Sequence, residues 1–285
     1  MKFVTEGMFA LYVEEVLSSK RYYQDYLRGS LDSASFHAAL AADTGLTDAA
    51  GFNAHNKSLI SLTPPDERTP ADIILGGLAA RGVIPSCAGM YDGFDECRAH
   101  IRKNYDHGGH VTYIYPEDER LLYAAAGLRQ PKRAFVAGAY YGYFAIWAMK
   151  ALHENGGLCV LSDINEEVCA LAGENFDRLG YGPNVSVRCE DAEALLIART
   201  EPIDLLVLDA TGRGDDPRPD RRGKRIYGAL LRAAKHVLSR DAMIVIHNME
   251  PENPEMQPLV DELADLRACG GSYATYNGVG VYVAG

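Results

Sequence analysis

The chain changes texture near residue 130. From Lys132 onward, short apolar runs alternate with stretches of helical periodicity. Ala134–Ala137, Leu158–Leu161, Val185–Val187, Leu205–Leu208 and Met243–Ile246 read as strands. Most are continuously apolar, as parallel strands covered on both faces must be. Between them Phe144–Glu154, Glu166–Leu179, Glu190–Arg199 and Lys224–Leu238 carry helical spacing. The alternation predicts an α/β fold with a doubly wound, mostly parallel, Rossmann-like sheet of seven strands. After a helix over Leu259–Cys269, two β-prone runs, Tyr273–Tyr276 and Val279–Val283, flank Asn277-Gly278. That dipeptide is a hairpin signal, so the sheet should finish with an antiparallel pair at one edge.

The earlier residues follow a different pattern. Apolar positions from Met8 to Leu27 recur at helical spacing, and Gly29 ends the run. A second helix is expected over Ser33–Ala42, a turn at Thr63-Pro64-Pro65-Asp66, and a further helix from Pro70 through Ala80. Residues 1–110 are therefore expected to form a helical lid or dimerisation region. Residues 111–285 are expected to hold the α/β domain. Tyr22, Tyr23 and Tyr26 would supply a core or a dimer face.

Composition narrows the partners. The net charge of −11 argues against nucleic acid, whose binding draws on lysines and arginines that neutralise phosphates. The single basic cluster, Arg213–Arg225, is interleaved with Asp215, Asp216 and Asp220. No apolar run approaches the ~20 residues of a membrane helix, and the N-terminus lacks the blocks of a signal peptide. Six scattered cysteines, none in a C-x-x-C pair, suggest a reducing cytoplasm. A small-molecule substrate fits this balance best.

Candidate chemistry centres on the loop after the first strand, Gly138-Ala139-Tyr140-Tyr141-Gly142-Tyr143. Two glycines four apart let the backbone turn tightly against a ligand. The spacing is not that of a pyrophosphate cradle, and three tyrosines suit an apolar, cationic ligand part better than phosphate. The second strand ends at Ser162-Asp163-Ile164-Asn165, 25 positions after Gly138. A carboxylate there can accept both hydrogen bonds of a ribose diol, or it can cap the following helix. Glu190-Asp191-Ala192 follows the third strand, placed to meet an adenine amino group or simply to start a helix. Asp209 follows the fourth strand and His247-Asn248 the fifth. These three side chains could bind a divalent cation or orient a substrate, with His247 as general base.

The loop and Asp163-Ile164-Asn165, with Leu206–Asp209 and Ile246–Asn248, resemble the cofactor signature of catechol and caffeoyl-coenzyme A type O-methyltransferases, class I S-adenosylmethionine-dependent enzymes. The resemblance covers roughly the last 155 residues. It implies that Gly138, Tyr140, Gly142 and Tyr143 surround the methionine part, that Asp163 binds ribose, and that Asp191 and Ala192 lie at the adenine. It also implies a metal held by Asp209 and Asn248, with His247 where the family has a second aspartate. Two further positions depart from the family. Val136 stands in place of an acid before the loop, and Gly212 in place of a lysine. Methyl transfer to oxygen, nitrogen or carbon is the expected reaction. Transfer or cyclisation of the cofactor's aminobutyrate group, a nicotinamide-dependent oxidoreductase and an inactive cofactor-binding scaffold are the rivals. His107-Gly108-Gly109-His110 reads as a loop rather than a metal pair, and Glu250, Glu252 and Glu255 as a solvated one.

Overall fold

The computed structural model describes residues 19–27, 30–31, 33–43, 68–110, 114, 116–249, 253–268, 272–276 and 279–285. The chain divides into two compact units, one of residues 1–69 and 107–117, the other of residues 70–106 and 118–285.

In the first unit, α1 (Arg21–Leu27) and α2 (Ser33–Ala42) lie over the expected helical segments. Tyr22 and Tyr23 both pack on Phe36, at ring-centroid distances of 6.0 and 6.2 Å. Phe36 is 2% exposed, so these tyrosines serve a small local core. Tyr22 also donates to Asp43, which pairs with Lys20. The side chain of Tyr26 and residues 1–18 of the proposed N-terminal helix lie outside the described residues.

The second unit contains α3 (Thr69–Ala80), α4 (Phe94–Asn104) and most of α5 (Pro116–Arg129), then the α/β sheet. Its strands are β1 (Arg133–Ala137), β2 (Leu158–Asp163), β3 (Val185–Cys189), β4 (Ile203–Leu208), β5 (Leu238–His247), β6 (Ser272–Tyr276) and β7 (Val279–Val283). The spatial order is β3-β2-β1-β4-β5-β7-β6. The first five strands run parallel, and β7 enters antiparallel between β5 and β6. The intervening helices are α6 (Met149–Glu154), α7 (Glu166–Arg178), α8 (Ala192–Ala198), α9 (Ile226–Ala234) and α10 (Gln257–Ala268). The expected strands and terminal antiparallel edge are present. The Asn277-Gly278 turn itself lies outside the described residues.

The sheet holds because its central strands are apolar on both faces. Leu205–Leu208 and Ile244–Ile246 are fully buried, each side chain worth ~1.5–3 kcal/mol of transfer free energy. On one face Leu206, Leu208, Ile244 and Ile246 meet Tyr227, Leu230 and Leu231 of α9 and Leu259 of α10. Two local features depart from the sequence pattern. The helix expected over Phe144–Glu154 opens as a 3-10 turn, Ala145–Ala148, before α6 begins. β5 starts earlier than its apolar run, with a register shift opposite Ile203/Leu205 and a left-handed Asp241 (φ 63°). Among the described residues no helix is long and apolar enough to cross a membrane.

Candidate active site

The glycine-rich loop begins where β1 ends, and its path is fixed from three sides. The amides of Gly138 and Ala139 both donate to the Ser162 carbonyl of β2, at 3.0 and 2.9 Å. Gly138 adopts φ +80°, and a Cβ there would stand 2.3 Å from Cα of Ala210. The loop can therefore approach the end of β4 only with glycine in this place. From below, Tyr105 donates to the Tyr141 carbonyl at 2.6 Å. Asn175 of α7 exchanges two hydrogen bonds with the backbone of Asp106 (2.7 and 2.8 Å), pinning that segment.

Asp163 ties the loop to the second strand. Its Oδ2 accepts from the Tyr140 amide at 2.8 Å, and its Oδ1 from the Ile164 and Asn165 amides at 2.8 and 3.1 Å. The capping of α7 falls instead to Asn165, whose side chain accepts from Glu167 and Val168. Asp163 is thus not the helix cap. It is a half-buried carboxylate held in one orientation at the mouth of a cleft, and a carboxylate's lone pairs exceed three donors.

That cleft is bordered by Gly138, Asp163, Ile164, Asp191 and Ala192 among others. Five positions singled out from the sequence therefore meet around one space. Asp191 also caps α8, accepting from the Ala194 amide at 2.8 Å, which is the helix-start geometry. Of the loop tyrosines, only Tyr140 stays exposed (39%), while Tyr141 and Tyr143 turn inward. The Tyr143 hydroxyl donates to buried Glu119 at 2.7 Å, and Glu119 in turn pairs with Arg102. Burial first, and the Glu119 carboxylate next, push the Tyr143 phenol well above its usual range, so it remains a donor.

The far wall of the cleft was not legible in the sequence. Gly212 and Gly223 form an antiparallel bridge, with amide-to-carbonyl distances of 2.9 and 3.1 Å, and close residues 213–222 into a strap. Arg221 of the strap donates through Nε to Glu193 of α8 at 2.7 Å and pairs with it a second time through its terminal nitrogen. Arg218 adds a weaker contact to the same carboxylate at 3.5 Å. The basic cluster is therefore partly structural rather than a solvated run. Past the bridge, Lys224 folds back to the Ala210 carbonyl and the Tyr227 hydroxyl, both at 3.0 Å. Glu255 is not a solvated residue either, since it accepts from the Lys224 amide at 3.0 Å and pairs with Arg225 at 3.2 Å. Glu250 and Glu252 lie outside the described residues.

Next to this cleft, at the tips of β4 and β5, the structure brings Asp209 and His247 together. His247 Nδ1 lies 2.8 Å from Asp209 Oδ1, and its Nε2 lies 3.4 Å from Asp118 Oδ2. Asp118, in the first turn of α5, is only 4% exposed. Burial alone would lower the His247 pKa, but Asp209 and Asp118 outweigh it and raise the value to about 10. At neutral pH the ring is an imidazolium donating from both nitrogens. Among the described residues, no group of three or more His, Cys, Asp or Glu side chains is arranged to hold a metal ion. The structure thus gives no support to the metal that the resemblance implied. Asn248 follows in a left-handed turn (φ 53°).

A doubly wound sheet with a lone antiparallel β7 sets a glycine turn against an acid-tipped second strand, at the strand ends where open α/β sheets bind ligands. Residues 135–249 match the family model described as a methyltransferase domain. Over 101 residues the chain is 32% identical to a catechol O-methyltransferase of Niastella koreensis, a stretch covering 34% of this chain and 45% of that protein. The chain thus matches a little under half the length of that curated relative. Similar solved structures include the O-methyltransferase TomG of Streptomyces achromogenes, in complex with S-adenosylmethionine (21% identity, TM-score 0.47, 59% of this chain and 79% of that one). Another is an O-methyltransferase from Bacillus cereus in complex with S-adenosylhomocysteine (17% identity, TM-score 0.48, 74% and 97%).

Proposed function

We propose that the protein is an S-adenosylmethionine-dependent methyltransferase acting on a small molecule. The observation that carries this is the convergence of Gly138, Asp163, Ile164, Asp191 and Ala192 on one cleft, inside the segment that matches a methyltransferase domain. That match also favours methyl transfer over aminobutyrate chemistry, hydride transfer or an inert scaffold.

The cofactor's sulfonium supplies an already activated methyl group, so the protein's work is positioning and exclusion of water. Asp163, with its orientation fixed by three amides, is set to receive the ribose hydroxyls, and Asp191 with Ala192 borders the adenine end. Tyr140, exposed beside Asp163, covers the methionine side together with Ala139 and the Gly138 and Gly142 backbone. Asp209 lies where β1 and β4 end together, its amide donating to the Ala137 carbonyl at 3.0 Å. There its carboxylate receives the acceptor's proton as the methyl arrives. His247 holds Oδ1 of Asp209 and is itself held by Asp118. The imidazolium and two carboxylates leave one net negative charge beside the cationic sulfonium. The centre needs no metal in this scheme. We place the reaction in a reducing, cytoplasmic setting, and assign residues 1–110 to covering the acceptor or pairing two copies.

Calorimetry with S-adenosylhomocysteine tests the reading, followed by incubation with methyl-tritiated cofactor and a panel of hydroxylated and amino acceptors. Saturable binding and label in a small acceptor are expected. Absence of binding heat would end the proposal.

A further inference from the structure

Cys169 and Cys189 take no part in the chemistry above, yet they meet beside the same cleft. Cys189 is the last residue of β3 and the ladder partner of Asp163 on β2. It is exposed, and the next two residues, Glu190 and Asp191, border the cleft. Cys169, in the first turn of α7, is 7% exposed. Its Sγ sits 3.7 Å from the Asp163 carbonyl oxygen and 4.0 Å from that of Arg188, between the tips of β2 and β3. The latter carbonyl belongs to the residue just before Cys189, and Cys189 is close enough to act on the Cys169 thiol. All five described cysteines are thiols, not disulfides.

We propose that Cys169 and Cys189 are a reversible disulfide site, and that closing it weakens the adjoining cleft's hold on the adenosyl cofactor. The second half rests on the proposed function.

The chemistry follows from the exposure of the two sulfurs. A low-molecular-weight disulfide, such as oxidised glutathione, reaches only Cys189. The Cys189 thiolate attacks it, forms a mixed disulfide and expels one small thiolate. Cys169 then loses its proton to solvent and attacks the Cys189 sulfur, expelling the second. Two protein thiols are oxidised and one small disulfide is reduced to two thiols. Burial, and then the neighbouring Cys189, push the Cys169 thiol upward, which makes this second step the slow one. Closure draws the end of β3 toward α7 and removes the thiol donor from the Asp163 carbonyl. It therefore disturbs both Asp163 and the Glu190-Asp191 turn. That turn is already tied to β2 by Ser162, whose hydroxyl donates to the Glu190 carbonyl at 2.7 Å.

The test treats the whole protein with oxidised glutathione, maps peptides by mass spectrometry, and titrates reduced and oxidised forms with S-adenosylhomocysteine. A Cys169–Cys189 peptide lighter by two hydrogen atoms is expected. Affinity should fall by roughly five- to hundredfold, the usual range of coupling between sites, and recover with dithiothreitol. Cys189→Ser, an exposed change, should bind like the reduced protein and ignore the oxidant. Failure of the linked peptide to form, while reduced protein binds normally, overturns the disulfide. A linked peptide with unchanged affinity overturns the coupling. If reduced protein does not bind at all, the proposed function fails, and the peptide map still decides the disulfide.

Discussion

Gly138→Ala tests the geometry of the cofactor turn most directly. At φ +80° an L-residue pays ~1–2 kcal/mol for the left-handed conformation. The added methyl would also stand 2.3 Å from Cα and 2.5 Å from N of Ala210, where carbon atoms prefer about 3.5–4.0 Å. Both clashing atoms are backbone, so neither can rotate away, and relief requires β1 and β4 to part at their tips. Overpacking of this kind adds ~1–3 kcal/mol, for a total loss of ~2–5 kcal/mol. For a chain of this size that corresponds to roughly 5–15 °C in Tm. The control is Gly173→Ala in the middle of α7, where a Cβ meets nothing within 4 Å. The same methyl there should stabilise the helix by ~0.5–1 kcal/mol. Scanning calorimetry reads both changes, and titration with S-adenosylhomocysteine should show Gly138→Ala binding much more weakly. If Gly138→Ala melts with the wild type and binds as well, the turn is not where or what the structure makes it.

Asp163→Ala removes a carboxylate that accepts three amides and faces the cleft. Titration should show cofactor affinity lower by ~1–3 kcal/mol, and an unchanged dissociation constant would remove Asp163 from the site. Because the folded His247 pKa is raised, its stabilising contribution is complete below about 6.5 and fades as pH rises through about 10. Urea unfolding across that window should therefore show declining stability. Asp118→Asn should shift the decline to lower pH at a cost of ~3–5 kcal/mol, the scale of a broken buried pair; an identical pH profile in the variant would uncouple the two residues. Glu193→Gln removes the carboxylate that holds Arg221, and limited proteolysis should then cut residues 213–222 faster than in wild type. Equal cleavage rates would mean that the ion pair does not secure the strap.

The sheet was legible because its strands are continuous apolar runs, whose pattern alone marks them as doubly covered. That several candidate residues would border one cleft was legible for a related reason. Asp163 ends its strand, Gly138 and Asp191 fall one and two residues past theirs, and in a parallel sheet strand ends share one edge. Asp118 could not be found in this way. It lies in Pro116-Glu117-Asp118-Glu119-Arg120, which reads as a solvated helix start. Only the fold buries Glu117, Asp118, Glu119 and Arg120 and sets Asp118 against His247. The contribution of α4 was missed likewise, since nothing in sequence links Tyr105 to a loop 36 residues on. The metal expectation came from matching Asp209, His247 and Asn248 by position.

The Gly212–Gly223 bridge makes residues 213–222 a hanging segment sewn at both ends to the protein's own backbone. Its interior can lengthen, shorten or change charge while the stitch, and the strands behind it, stay in place. The wall it lends to the cleft can therefore be changed as one surface loop without touching the sheet.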